Sequence, residues 1–425
     1  MTPTLVALTK GQRMGEVRRN QRGRLSFVYD EPWRQRRNAY PLSLSMPLAA
    51  AEHGHDVIEA FLWGLLPDND RVLDRWARRF QVSVRNAFAL LSHVGEDCAG
   101  AVQFVSPERI DALTNKEPEP VVWLSEGEVA ERLRTLREDH AAWRAPRDTG
   151  QFSLAGAQPK TAFLHENGRW GIPSGRTPTT HILKPPTGEF DGHAENEHFC
   201  LKLARRLGLP TASTQVMRFG NEVAIVIERY DRRRQDGEIH RVHQEDMCQA
   251  LAVPPIRKYE NEGGPGAVEI VDLLRAASSA RVDDVATFVD ALVFNWLIAG
   301  TDAHAKNYSV LIGAGGRARL APLYDIASAL PYDDMDQRAL KLAMRVGGEY
   351  RLRDISVRDW RRLADRLRLP ADGVLSRIED LAAQLLKAAA AVREEIAREG
   401  LTHDVIDRLT ERTVIRAVEC ARLVE

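Results

Sequence analysis

The pattern of hydrophobic positions divides the chain into a strand-rich first part and a helix-rich second part. Short apolar runs at residues 5–8, 14–17 and 25–29 are separated by turns rich in Gly, Asn and Arg, and they predict a small antiparallel sheet. Residues 41–48 alternate apolar and polar positions and predict a further strand with one buried face. Helical periodicity predicts helices at residues 57–66, 70–80, 86–93 and 126–138.

Strand patterns return after residue 151, and helical patterns dominate after residue 244. Four apolar runs predict strands, at residues 161–164, 181–184, 216–219 and 223–231, and an amphipathic helix is predicted at residues 194–208. Residues 232–237 are a predicted charged linker. A hairpin is predicted around the Gly-rich turn at 313–316, and the other predicted elements are helices at residues 245–251, 266–278, 283–299, 356–368, 371–396 and 404–424. The pattern indicates an α+β protein divided into residues 1–106, 107–244 and 245–425.

Length, charge and cysteine content narrow the class of protein. A chain of 425 residues is too long for one core, so two or three structural units are expected. The formal net charge of −1 gives no global electrostatic case for binding nucleic acid or a membrane. The four cysteines lie far apart and predict neither disulfides nor a zinc site. With no signal-peptide or membrane-spanning pattern, we expect a cytoplasmic protein.

Asp302 and Asn307 follow directly on an apolar run that ends at Gly300. Four residues separate them, which is the spacing at which phosphotransferase loops hold a catalytic base and a metal-binding amide. Asp302 would accept the proton of an attacking hydroxyl, and Asn307 would offer its side-chain oxygen to Mg²⁺. The structural alternative is an Asp that caps a helix and an Asn in a turn.

The small-residue segment at residues 151–160 is a second candidate for chemistry. Its small side chains would let backbone N–H groups approach a phosphate, and Lys160 adds a positive charge. The segment matches neither the Walker A motif nor GxGxxG, so a plain hairpin turn is the alternative. Ser153 is either a phosphorylation site or the cap of a turn.

A lysine, two glutamates and a hinge strand fit the same chemistry. Lys184 ends a short strand, like the kinase lysine that steadies nucleotide phosphates and pairs with a helix glutamate. Glu195 and Glu197 both qualify as its partner. Residues 228–230 end the most apolar strand, at the place where a two-lobed kinase binds adenine through its backbone.

Asp325 completes a kinase-like order of elements. It lies beyond one predicted hairpin from Asn307, where a kinase places its second magnesium-binding carboxylate. Phosphoryl transfer needs mainly positioning and charge neutralisation, which these groups would supply. The sequence therefore predicts a two-lobed, protein-kinase-like fold that uses ATP and Mg²⁺, with an extra N-terminal β-rich module and a C-terminal lobe dominated by helices.

Several segments resemble the HipA-type serine/threonine kinases of bacterial toxin–antitoxin systems. They are residues 153–160 (SLAGAQPK), 181–184 (HILK), 228–231 (ERYD), 301–307 (TDAHAKN) and 321–326 (APLYDI). Residues 65–68 and 95–100 are similar to the N-terminal module of that family. The resemblance covers nearly the whole chain in family order.

The resemblance implies a role for each matched position. Asp302 would be the catalytic proton acceptor, and Asn307 and Asp325 would bind Mg²⁺. Ser153 matches the serine that such kinases autophosphorylate in trans, which ejects the phosphate-binding loop and silences the enzyme. The implied ATP contacts are Ala155, Gly156, Ala157, Gln158, Pro159, Lys160, Lys184, Glu228, Arg229, Tyr230, His304, Ala305, Lys306, Asn307, Tyr324 and Asp325.

The resemblance also implies partners. HipA-type toxins bind a HipB-type helix-turn-helix antitoxin, repress their own operon on DNA and cause growth arrest and persistence, and their substrates are aminoacyl-tRNA synthetases, especially glutamyl-tRNA synthetase. The arginine-rich residues 351–368 would touch a phosphate backbone or, with interleaved aspartates, form a solvated helix face. Two other classes stay open at this point: a DNA-associated corepressor with a vestigial kinase site, and a small-molecule phosphotransferase.

Overall fold

The computed structural model describes residues 4–114, 121–143, 152–188 and 190–423. It divides into two compact units, one of residues 1–187, 217–256 and 310–318, the other of residues 188–216, 257–309 and 319–425. Gln151 of the small-residue segment and residues 115–120 lie outside the described residues. The three-part division predicted from the sequence stays a prediction.

The chain up to residue 114 forms an antiparallel sheet with helices beside it. Its elements are β1 (Thr4–Thr9), β2 (Gln12–Arg19), β3 (Leu25–Tyr29), α1 (Glu31–Arg34), β4 (Glu52–His53), α2 (His55–Gly64), α3 (Asp70–Phe80), α4 (Ala87–Val94), β5 (Gln103–Val105) and α5 (Ile110–Thr114). The strand order is β4-β3-β2-β1-β5. Helix α3 begins where the side chain of Asn69 accepts hydrogen bonds from two N–H groups of its first turn.

A second sheet carries the predicted nucleotide segments. The elements are β6 (Val122–Leu124), α6 (Glu126–Glu138), β7 (Thr161–Glu166), β8 (Arg169–Ile172), β9 (His181–Lys184), α7 (His193–Arg206), β10 (Thr214–Phe219), β11 (Glu222–Glu228), β12 (Arg232–Gln235), β13 (Glu238–Arg241), β14 (His243–Asp246) and α8 (Met247–Ala250). The sheet order is β10-β11-β9-β7-β8-β6, so β9 and β11 are direct neighbours.

The rest of the chain is mainly helical, as predicted. Its elements are α9 (Ala267–Ala277), α10 (Arg281–Leu297), β15 (Ser309–Ile312), β16 (Ala318–Leu320), β17 (Lys341–Val346), β18 (Glu349–Arg351), α11 (Val357–Arg366), α12 (Ala371–Arg398) and α13 (Asp404–Arg422). Trp296 of α10 packs edge-on against Trp360 of α11, and both rings are fully buried. Within the described ranges, no helix combines the length and apolar character that a bilayer crossing requires.

The strand predicted at residues 41–48 is wrong, although two of its four alternating apolar positions are buried. Leu42 and Met46 are fully buried, but the segment folds as successive turns. The hydroxyl of Tyr29 makes hydrogen bonds that a neighbouring strand would otherwise make. It accepts from the N–H of Leu42 and donates to the carbonyl of Met46. Prolines 41 and 47 have no N–H to donate to a sheet.

Two further predictions need correction. Residues 232–237 are not a linker, because β12 and β13 form a hairpin whose turn residues Asp236 and Gly237 both have positive φ. The Asp-Gly pair was the available sequence signal. The hairpin of β17 and β18, which turns at Gly347 and Gly348, was also missed in the helix-rich part of the chain.

Candidate active site

The turn after α10 is built to hold the loop that contains Asp302. Ala299 has a φ of 52°, and the N–H of Gly300 returns to the carbonyl of Asn295 at 2.7 Å. A β-carbon on Gly300 would lie 2.2 Å from Oδ1 of Asn295, so only glycine fits this close approach. The side chain of Asn295 also donates to the hydroxyl of Tyr308 at 3.3 Å, which joins the two ends of the loop.

The main-chain carbonyl of Asp302 organises the loop. It accepts hydrogen bonds from the N–H of His304 at 2.8 Å and from Nδ2 of Asn307 at 2.7 Å. Its carboxylate does not cap the short 3₁₀ turn Ala305–Asn307, which begins after His304, and 68% of its side chain is exposed. The helix-cap alternative for Asp302 is therefore wrong, and the carboxylate faces solvent.

Asn307 and Asp325 have the chemistry of magnesium ligands. Because Nδ2 of Asn307 is committed to the loop, its Oδ1 is left as the acceptor of the side chain. Mg²⁺ prefers oxygen ligands and is commonly held by one or two protein groups together with substrate phosphates and water. Asp325 has a φ of 58°, a conformation that is uncommon outside glycine and that recurs at functional sites. The donor set fits a hard divalent cation.

Tyr324 ties the segment of Asp325 to the catalytic loop. Its hydroxyl donates to the main-chain carbonyl of Lys306 at 2.7 Å and lies 2.7 Å from Oγ of Ser309. Leu323, just before it, exchanges backbone hydrogen bonds with residues 210 and 212. The structure thus brings Tyr324 together with the loop of Asp302, His304, Ala305, Lys306 and Asn307, as the sequence predicted.

His304 is a buried, neutral member of the loop. Burial lowers the pKa of its imidazole below the ordinary value, against the opposing effect of the Asp302 and Asp325 carboxylates. Its Nε2 lies 4.0 Å from Oδ1 of Asp302, too far for a hydrogen bond. A neutral His304 contributes shape and packing without a permanent positive charge.

Tyr259 is a residue of this site that the sequence reasoning missed. Its hydroxyl donates to Oδ1 of Asp302 at 2.7 Å, and its ring packs edge-on against His304 with centroids 4.9 Å apart. Tyr259 lies 43 residues before Asp302 and outside every matched motif. A lone tyrosine in an irregular segment carries no sequence signal for this contact.

The predicted phosphate loop belongs to the other unit and turns its carbonyls inward. Gly156, with a φ of 98°, accepts from the N–H of Asp68 at 3.0 Å, and the carbonyl of Ala157 accepts from Asn69 at 3.3 Å. The carbonyl of Ala155 accepts from Nζ of Lys160 at 2.7 Å. A loop whose carbonyls are held by donors of the protein in this way can turn N–H groups toward an anion.

Ser153 is fully buried at the start of this loop. Its Oγ donates to the carbonyl of Leu65 at 2.7 Å, and its N–H donates to the carbonyl of Asp97 at 3.1 Å. It does not cap a turn, which was one alternative. Its hydroxyl instead fastens the loop to the N-terminal part of the chain.

Lys184 and the predicted hinge lie on neighbouring strands. Lys184 is buried at the end of β9 and stands opposite Ile225 of β11. Just beyond the end of β11, the N–H of Arg229 donates to the carbonyl of Thr180 at 2.9 Å. Arg229 and Thr180 therefore form a hydrogen-bonded pair of the antiparallel ladder. Hydrogen-bonded and non-hydrogen-bonded positions alternate in antiparallel strands, so the backbone of Glu228 faces away from β9. It points to the β10 side of β11.

The side chain of Arg229 is engaged in a buried ionic cluster, defined here as Asp97, Arg229, Asp231, Arg232 and Arg241. Arg229 and Arg232 each pair with both aspartates at distances between 2.8 and 3.4 Å. Arg241 pairs with Asp97 at 3.2 Å. If Arg229 contacts a nucleotide, it does so through its backbone.

Two family models match the chain. The HipA N-terminal domain matches residues 5–105, and the HipA-like C-terminal domain matches residues 152–389, more than half of the chain. The chain belongs to the HipA family. Among its relatives, the protein Y4mE of Sinorhizobium fredii is 37% identical over 390 residues, covering 91% of this chain and 90% of the relative.

The serine/threonine-protein kinase toxin HipA of Shewanella oneidensis is 31% identical over 379 residues, covering 86% of this chain and 83% of the toxin. A solved structure of Shewanella oneidensis MR-1 HipA, in complex with HipB and operator DNA, matches with a TM-score of 0.85 at 26% identity. The match covers 99% of this chain and 98% of that chain. The resemblance to HipA and the predicted α+β, two-lobed fold class are therefore confirmed.

The arginine-rich segment around α11 favours the solvated-face alternative. Arg361 pairs with Asp372 at 2.8 Å, and Arg368 pairs with Asp272 at 3.1 Å. These pairs are largely exposed, and carboxylates already lie beside both guanidinium groups. Such a surface has less positive charge to offer to a phosphate backbone than its arginine count suggests.

Proposed function

We propose that this HipA-family protein is an ATP- and Mg²⁺-dependent protein serine/threonine kinase that acts as the toxin of a toxin–antitoxin system. The observation that carries the proposal is the loop around the Asp302 carbonyl. It exposes one carboxylate while it commits the amide nitrogen of Asn307, leaving an oxygen for a cation. The named kinase toxin among its relatives supports the same chemistry.

In the proposed reaction, the acceptor hydroxyl oxygen forms a bond to the γ-phosphorus of ATP as the bond to the β,γ-bridging oxygen breaks. ADP leaves, and the hydroxyl proton passes to the carboxylate of Asp302. Bound Mg²⁺ would neutralise the phosphate oxygens, with Asn307 and Asp325 as its protein ligands. On the nucleotide side, Lys184 would add positive charge, and residues 155–160 would contact the phosphates.

We also propose that Ser153 is autophosphorylated in trans, and the burial of its hydroxyl indicates what the phosphate would do to the loop. A phosphate adds about −1.5 to −2 charge at neutral pH. In the described conformation that charge would replace a hydroxyl that donates to the carbonyl of Leu65 in a site closed to water. Burying an unpaired charge beside a carbonyl is strongly unfavourable, so a phosphorylated segment would have to leave and take the phosphate loop with it.

Incubation with radiolabelled ATP and Mg²⁺ tests both proposals. Wild-type protein should incorporate label that maps to Ser153, while Ser153→Ala and Asp302→Ala should stay unlabelled for different reasons. Mixing the two variants separates those reasons, because active Ser153→Ala should label the Asp302→Ala copy in trans. Wild-type protein that neither incorporates label nor binds ATP would refute the kinase proposal.

For the protein substrate, we propose an aminoacyl-tRNA synthetase, as the family resemblance implies. The same reaction with purified glutamyl-tRNA synthetase added should label it with the Ser153→Ala enzyme and not with Asp302→Ala. If expression in cells leads to phosphorylation of other proteins only, the proposed substrate is wrong. Growth arrest that persists with Asp302→Ala would contradict a toxicity based on catalysis.

We further propose that the chain pairs with a helix-turn-helix antitoxin and meets operator DNA through that complex. The support is the solved HipA relative, whose structure contains HipB and operator DNA. A short reading frame for such a protein beside this gene should encode the partner. The two products should elute together in gel filtration, and separate elution at micromolar concentrations would argue against the pairing.

A further inference from the structure

The segment around Tyr259 is held rigidly against the catalytic loop. The carbonyl of Lys258 accepts from the N–H of Ala305 at 3.3 Å, which fastens it to the turn after Asp302. The carbonyl of Tyr259 accepts from the N–H of Gly264 at 2.9 Å and so closes a tight turn. A β-carbon on Gly264 would lie 2.0 Å from the carbonyl oxygen of Arg257, so the turn requires glycine there.

A second anchor lies directly after Tyr259. The carboxylate of Glu260 accepts from the N–H of Arg345 in β17 at 2.7 Å and pairs with its Nε at 2.8 Å. Burial raises the pKa of Glu260, while the contacts with Arg345 oppose that shift. The tyrosine is thus fixed on one side to β17 and on the other to the catalytic loop.

The carboxylate of Asp302 needs such a fixed neighbour. Its side chain is 68% exposed, and an exposed aspartate can change its χ1 rotamer and turn its carboxylate over a broad range of χ2. The 2.7 Å hydrogen bond from Tyr259 engages Oδ1, and this leaves Oδ2 for a second partner. His304 makes no hydrogen bond to Oδ1, because its Nε2 lies 4.0 Å away.

We propose that Tyr259 is a positioning residue for the proton acceptor: its hydroxyl holds Oδ1 of Asp302 so that Oδ2 meets the acceptor hydroxyl. The inference rests on the kinase function proposed above. A fixed orientation increases the fraction of encounters in which the acceptor proton has a base in line. The hydroxyl itself lies at a half-buried site where water can replace it, so it contributes little to folding.

The test measures transfer of label between two copies of the chain. The enzyme carries Ser153→Ala so that it cannot inactivate itself, and the acceptor is a tagged Asp302→Ala copy. Adding Tyr259→Phe to the enzyme should lower kcat about tenfold, a fraction of the roughly 10²- to 10⁴-fold that a general base contributes. The KM values for ATP and for the acceptor should stay within about twofold, since the ring and the turn are retained.

A pair of para-substituted residues separates hydrogen bonding from shape. With 4-aminophenylalanine at position 259, which keeps a para donor, kcat should recover most of the loss, while 4-methylphenylalanine should be as slow as Phe. As a matched control, Tyr40→Phe in the other unit removes a hydroxyl that lies 2.6 Å from Oγ of Thr9, and it should leave kcat unchanged.

Three results would overturn the inference. Tyr259→Phe as fast as the parent enzyme would show that the hydroxyl does not act, and a faster variant would show that it competes with the acceptor. A folded 4-aminophenylalanine variant as slow as Phe would assign the effect to shape. In all three the parent enzyme is active, so the kinase proposal stands; an inactive parent enzyme overturns both.

Discussion

Replacing Asp97 by Asn should lower the free energy of unfolding by about 3–5 kcal/mol, the typical effect of breaking a buried ion pair from one side. Asp97 accepts from Arg232 at 2.8 Å, from Arg241 at 3.2 Å and from Arg229 at 3.4 Å. The substitution leaves three guanidinium groups against one carboxylate in a site closed to water. Because small domains are stable by about 5–15 kcal/mol in total, this change would threaten folding of the unit at growth temperature.

The same cluster predicts how stability depends on pH. Burial alone would raise the pKa of Asp97, but the guanidinium groups of Arg232, Arg229 and Arg241 outweigh it and hold the pKa well below the ordinary 3.8. A lowered folded-state pKa means that the stabilisation is fully present above the unfolded value and is lost as the pH falls below it. Wild-type protein should therefore lose stability steeply below about pH 4, and Asp97→Asn should lose less over that range.

Urea unfolding, followed by circular dichroism at several pH values, measures both effects. Glu131→Gln is the matched control, because Glu131 pairs with Arg134 at 2.8 Å with both side chains about half exposed. Exposed pairs contribute about 0–1 kcal/mol, so this variant should resemble wild type. A loss for Asp97→Asn no larger than that of the control would contradict the role assigned to the cluster.

This cluster explains part of the motif at residues 228–231 that sequence reasoning assigned to the nucleotide alone. Arg229 and Asp231 lie two residues apart in the connection between β11 and β12, and both side chains reach Asp97 or its neighbours in the N-terminal part of the chain. Their positions in sequence gave no indication of that partner, 131 or more residues away. In a motif of this kind, buried side chains can hold the backbone of a hinge in place.

Sequence patterns predicted an element well where its hydrophobic periodicity and the residue types at its two ends indicated the same structure. Helix α3 has Asn at its cap, Asp in its first turn and Arg in its last, and its predicted bounds match. The segment at residues 41–48 shows the opposite case, because its alternation is real but its hydrogen bonds go to the side chain of Tyr29. Hydrophobic periodicity indicates which side chains are buried. A strand also needs a neighbouring strand for its backbone hydrogen bonds.

Within the candidate site, local motifs were predictable and long-range contacts were not. Asp302 and Asn307 share one loop, so their spacing carries information about their geometry. Tyr259 reaches Asp302 only because the turn at Gly264 and the pair between Glu260 and Arg345 place it there. Those restraints depend on tertiary structure, so no pattern in the sequence singles out Tyr259.

Asp302→Asn should reduce kcat about 10²- to 10⁴-fold while leaving ATP affinity close to that of wild type. The substitution is isosteric, and its side-chain oxygen can still accept from the hydroxyl of Tyr259. The main-chain carbonyl at position 302 still accepts from His304 and Asn307, so the loop should keep its shape. Only the capacity to take up a proton is lost. Initial rates of label transfer and ATP titration by calorimetry measure the two quantities.

Two companion variants separate proton acceptance from other effects of the change. Asp302→Glu keeps a carboxylate but moves it by one methylene, and it should fall between wild type and Asp302→Asn, because proton transfer depends on geometry as well as on charge. Asp336→Asn changes an exposed aspartate of the same unit, whose carboxylate accepts from the N–H of Arg338, and it should be near wild type. If Asp302→Asn kept more than a tenth of the wild-type kcat, another group would have to take the proton, and the exposed carboxylate of Asp302 would lose its assigned role.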